Sequence, residues 1–224
     1  MSSSNKKGAS SGFSLLELLI AMGITITLMT AASTLLANAL RVRSRENQKS
    51  DALADTQRAL NIMSREIANA GFNLNNNGIV VADSNANAIR IRSNLNGYTD
   101  ETGFDEVINE NEDIRYYVNN ADNTRYLVRK DQFGNGSTVL ANRIDNMTIH
   151  YFDRKVTYTA PAGGDDVIDF SSPEVAKENA KYIVIAVAVT LDEVGTPGSP
   201  GYHKAYSVVL CSDVVLRNSG LWTY

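Results

Sequence analysis

The 224-residue chain has one cysteine, Cys211, and four prolines, none of them before Pro161. A lone cysteine excludes an internal disulfide and any multi-cysteine metal site. Its neighbours Val208, Val209, Leu210, Val214 and Val215 make it read as a small buried hydrophobe rather than a reactive thiol. Histidine is almost as scarce. His150 and His203 stand in neither an HxxxH nor an HExxH context, and both read as structural or surface residues. No phosphate loop, nucleophile elbow or GxGxxG stands in a fitting context. Acidic clusters at residues 100–101, 110–113 and 165–166 do not follow the D-x-[DN]-x-[DN]-G pattern of a calcium loop. The net charge of −4 gives no overall electrostatic reason to expect nucleic-acid binding. These absences point away from an enzyme and from a cofactor.

Charge is also absent locally. Residues 18–40 are 23 consecutive positions without one, about 35 Å as a helix at 1.5 Å per residue, against a bilayer core of about 30 Å. Four threonines, Ser33 and Asn38 make the run only moderately hydrophobic, so it suits packing against similar helices as well as a membrane. Residues 1–11 are small and polar, with Lys6 and Lys7 as their only charges. Between the two lies Gly12-Phe13-Ser14-Leu15-Leu16-Glu17. A secretory signal has an apolar region of roughly 7–15 residues, shorter than this one. A plain anchor leaves Glu17 unexplained, because a lone carboxylate in a spanning segment costs about 2.5–3.5 kcal/mol.

The segment Gly12 to Glu17 with its apolar run resembles the processing site of type IV pilins and type II secretion pseudopilins. The resemblance implies that a prepilin peptidase removes residues 1–12 by cutting between Gly12 and Phe13. It also implies N-methylation of Phe13 and an assembly role for Glu17, the fifth mature residue. Cleavage would expose an ammonium at Phe13. In a nonpolar filament core that ammonium can neutralise Glu17 of a neighbouring subunit, which rewards correct axial register. Two features depart from expectation. Arg41, Arg43 and Arg45 follow the run, so a positive-inside count alone would put the C-terminal part in the cytoplasm; long domains translocate largely regardless of such charges. The helix-kinking proline of many family members is missing, leaving Gly23 as the nearest substitute.

Past residue 40 the pattern becomes amphipathic. Leu53, Leu60 and Ile67 recur at seven-residue spacing with Met63 and Ala70 between them, and charged side chains cover the other faces. Gly71 is a natural stop, so the spacing predicts one helix over residues 14–70 whose apolar stripe packs on the chain's own sheet. Strand patterns follow at residues 88–93, 114–118, 126–130, 147–153, 182–191 and 206–216. The turn-rich residues 196–201 join the last two as an antiparallel pair. Polar connections fill 72–110, apart from the first strand, and 154–180. The whole is an α+β, pilin-like arrangement: leader 1–12, transmembrane and assembly helix 13–40, amphipathic helix 41–71, β-rich head 72–224.

Arg65-Glu66-Ile67-Ala68-Asn69-Ala70-Gly71-Phe72 is similar to the helix-end pattern of PilW-type minor pilins and J-type pseudopilins. Asn142-Arg143-Ile144-Asp145-Asn146-Met147, with Tyr151-Phe152-Asp153, is similar to their first head strands. The resemblance implies a minor structural subunit of a type IV pilus, acting at initiation or at the tip. Its implied partners are other pilin subunits, the prepilin peptidase and the inner-membrane assembly platform. It would sit first in the inner membrane with its head outside the cytoplasm, and then in a surface pilus. A J-like subunit of a periplasmic pseudopilus and a pilus-displayed adhesion or DNA-uptake subunit stand as alternatives.

Overall fold

The computed structural model describes residues 13–95, 98–99, 103–104, 108–121, 124–134, 136–142, 144–159, 168–191, 193–198 and 202–219. One helix, α1 (Leu15–Ala68), comes first. Eleven strands follow: β1 (Ala88–Arg92), β2 (Tyr98–Thr99), β3 (Gly103–Phe104), β4 (Asp113–Ala121), β5 (Thr124–Asp131), β6 (Ser137–Asn142), β7 (Asn146–Phe152), β8 (Tyr158–Thr159), β9 (Asp169–Phe170), β10 (Tyr182–Leu191) and β11 (Tyr206–Val215). The fold is α+β with antiparallel pairing throughout the described ladders, and its long N-terminal helix packs on the sheets.

At 54 residues α1 is about 81 Å long. It is continuous through Gly23, whose missing side chain would meet open space. The helix ends two residues earlier than the spacing predicts, with Asn69 as its cap. Gly71 still makes the corner. Its φ is +77°, and a Cβ there would come within 2.6 Å of the Asn76 carbonyl. Gly78 lies against it at the same φ, and both glycine backbones bond Arg92, at 2.9 Å and 2.7 Å. Only glycine tolerates this conformation together with so close an approach.

Beside the two-stranded pairs β2-β3 and β8-β9, two larger sheets among the described residues make up most of the head, in orders β1-β4-β5-β6 and β11-β10-β7. They meet on one side, where the Ile149 N–H donates to the Ala86 carbonyl at 2.8 Å and the Asn87 amide reaches the Met147 carbonyl at 2.9 Å. On the opposite side α1 lies against β6, β10 and β11. The two sheets thus wrap the packed half of the helix. Ile89, Ile114, Tyr116, Leu127, Ile183 and Ile185 meet Leu60, Met63 and Ile67 in one core. Burying each such side chain contributes about 1.5–3 kcal/mol. Leu53 is only half-buried; Ala52, Thr56 and Ala59 occupy the seam in its place. Small residues let the helix axis come close, and the Thr56 hydroxyl satisfies itself on the Ala52 carbonyl at 2.7 Å.

The two sheets differ in how they are covered. β10 is buried along nearly its whole length, because the segment after β7 folds back over its outer face. Phe152, Val156, Tyr182 and Val184 make a second small core there, with Tyr158 and Phe170 against it. Burial on both faces explains a continuous apolar run in an antiparallel strand, where alternation is usual. Residues 154–180 therefore do more than connect, since they contain β8, β9 and a short 3-10 turn (Lys177–Asn179). β6 escapes the sequence pattern because its residues are mostly exposed and Leu140 bulges out of register.

Candidate functional site

The candidate site is the free end of α1. Gly12 lies outside the described residues. Phe13 is 88% exposed and packs on nothing described. The next residue starts the helix: Ser14 is the N-cap, its hydroxyl accepting the Leu16 N–H at 3.3 Å. Glu17, three residues on, reaches back and accepts the Ser14 N–H at 3.1 Å. This reciprocal capping box satisfies backbone donors that a helix start leaves orphaned. A carboxylate in the first turn also complements the helix dipole. The Ser-x-x-Glu spacing was visible in the sequence, yet only its acid is singled out by the processing-site resemblance. One Glu17 oxygen is held by its own chain, and the other has no partner among the described residues, so the carboxylate remains open to a second donor.

From this cap to residue 37 every side chain is exposed. Leu15, Leu28, Met29, Leu35 and Leu36 are each more than 60% exposed, spread around the cylinder rather than on one stripe. The threonines are satisfied internally. Thr25, Thr27 and Thr30 donate to the carbonyls of Ala21, Gly23 and Ile26 at 2.6–2.8 Å, and Thr34 donates to Ala31 at 2.8 Å. Their hydroxyls thus need no water, which removes the main objection to placing them in a nonpolar medium. This half of α1 is long and apolar enough to cross a membrane.

Arg45 marks where the head begins. Its guanidinium donates to the backbone carbonyl of His203, at 3.3 Å, and to that of Lys204. Of the three arginines after the apolar run, this one ties the helix to the β10–β11 connection; sequence reasoning saw only its charge. Farther up, Glu66 of the helix-end pattern accepts the Tyr116 hydroxyl and the Arg129 guanidinium, the latter at 3.0 Å. Burial and then the Glu66 charge push the Tyr116 phenol far above its ordinary range. Burial opposes the charged form of Arg129, but the Glu66 contact outweighs it and raises its pKa. Glu66 and Ile67 therefore clamp the helix end onto β4 and β5, which gives that stretch of the pattern a structural reason.

The remaining expected residues are scattered. His150 pairs with Glu174 at 2.8 Å and rests on Phe170, whereas His203 bridges Val194 through its backbone. Cys211 is half-exposed on β11 rather than buried, and its partial burial raises the thiol pKa. No group of metal-ligating side chains occurs among the described residues. Compared with models of protein families, with curated proteins and with solved structures, the chain matches none.

Proposed function

We propose that this chain is a minor subunit of a type IV pilus-like filament, anchored in a membrane and assembled through the free half of α1. The observation that carries the reading is a capped, internally satisfied apolar helix that nothing among the described residues covers. About 35 Å of exposed apolar helix requires lipid or neighbouring helices, and a filament core supplies the latter after the membrane supplies the former. The motif from Gly12 to Glu17 supports cleavage before Phe13, whose new ammonium would reach the open oxygen of Glu17 in a neighbouring copy or related subunit. The prepilin peptidase, the assembly platform and other pilin subunits are the partners this requires.

Intact-mass measurement of membrane-extracted protein tests the cleavage; a chain retaining residues 1–12 overturns it. Glu17→Gln tests the pairing, because glutamine can still accept the Ser14 N–H while carrying no charge. Sheared filaments should contain as little Glu17→Gln as Glu17→Ala, and normal incorporation of the glutamine variant would leave Glu17 as a helix cap only. Copy number in purified filaments should be far below that of the main fibre subunit.

A further inference from the structure

The outer face of the first sheet is ordered into rows across its strands. Arg115 of β4 stands directly opposite Lys130 of β5. The next row on the same face sets Tyr117 against Val128 and Val139, and the one after sets Asn119 against Tyr126 and Asn142. Like charges facing each other across a strand pair are unfavourable, and among the described residues neither Arg115 nor Lys130 has an acidic partner. Their neighbour in the row, Arg90, is by contrast compensated by Asp83 and Asp113. The Arg115 Nε is buried without a hydrogen bond, and its guanidinium lies over the Tyr117 ring at 5.4 Å. Within a chain of net charge −4, this is a local excess of cations beside an aromatic row and an amide row.

We infer that this face binds an acidic polysaccharide, a chain of uronic-acid sugars laid across β4, β5 and β6. Each row then has a chemical counterpart. The sugar carboxylates neutralise Arg115 and Lys130, the apolar faces of the rings cover the exposed Val139, and the hydroxyls exchange hydrogen bonds with Asn119, Tyr126 and Asn142. A single-stranded nucleic acid fits less well, because its bases need open ring faces and the Tyr117 face is already capped by a guanidinium. An acidic peptide adds to a sheet edge through its backbone rather than lying across a face.

Calorimetric titration of the full chain in detergent micelles with polygalacturonate tests this, with dextran as the neutral control. Saturable, salt-sensitive binding is expected, with none to dextran. The double substitution R115Q/K130Q should weaken binding on the order of tenfold, and Y126A severalfold, both with unchanged melting temperature. R154Q, at the exposed Arg154 beyond β7, should leave it intact. Absence of binding, equal binding by the double variant, or equal affinity for poly-glutamate or a single-stranded oligonucleotide would overturn the inference.

Discussion

The two halves of α1 share one hydrogen-bond ladder and have opposite surroundings. From residue 15 to 37 large apolar side chains point in every direction and none is covered. From Arg45 onward the surface divides: Ala52, Thr56, Ala59, Leu60, Met63 and Ile67 vanish into the head, while Glu46, Asp51, Asp55 and Arg58 stay in solvent. The difference teaches that helicity alone says nothing about what a helix is for. The packed half is amphipathic because its own chain covers one side. The free half is apolar all round, and nothing among the described residues covers it.

The sharpest test separates the halves physically. Deleting residues 1–40 keeps Arg45 and its carbonyl contacts, so the fragment should stay in solution, monomeric and folded, whereas the full chain needs detergent. A fragment that aggregates or lacks a cooperative melt by circular dichroism would show that the free half supports the head. Next in size is a pair of identical substitutions. Leu60→Ala should destabilise the head by about 2–5 kcal/mol in urea unfolding, and Leu28→Ala should leave that transition unmoved. Equal effects would abolish the comparison.

Acid should reach the packed half through the sheet it rests on and spare the free half. Burial alone would raise the Asp113 carboxyl pKa, but hydrogen bonds and charge from Arg90 and Arg92 outweigh it and hold the pKa below the usual range. The unfolded carboxyl titrates near pH 3.9, so the stabilisation is complete above that pH and is lost as pH falls through the lower folded value. Asp113→Asn should therefore lower stability by about 1–3 kcal/mol at neutral pH and flatten the decline below about pH 4. An unchanged acid profile would assign that decline to other carboxylates. The smallest effect is expected at the cap. Glu17→Ala should cost about 0.3–1 kcal/mol locally, read as faster amide exchange at residues 14–18, with no change in head melting.

Much of this architecture was legible in residue spacing. Residues 182–191 form the strand that their apolar run predicts, and it pairs antiparallel with β11 as expected. The strands at 114–118, 126–130 and 147–153 are present within a few residues. β6 was not legible, since an exposed strand with a bulge has neither alternation nor bulk to betray it. The division of the head into two larger sheets was equally hidden, because strand order depends on contacts distant in sequence. At the candidate site the acid stood out, while its Ser14 partner is an ordinary residue whose role depends on where the helix starts.

Sequence by itself determined the helix, its charge-free half and the positions of the main strands. All of these follow from neighbours within a turn or along one strand, where hydrogen-bond geometry and periodicity act locally. Tertiary structure alone decided that Ala52 and Thr56 rather than Leu53 face the seam, and that Glu66 clamps Tyr116 and Arg129. It also decided that Arg115 and Lys130 face each other on the first sheet with no acidic partner among the described residues. These outcomes depend on how closely two surfaces can approach and on which charges meet across strands. No local pattern encodes such distances, because they are set only when the whole head closes around the helix.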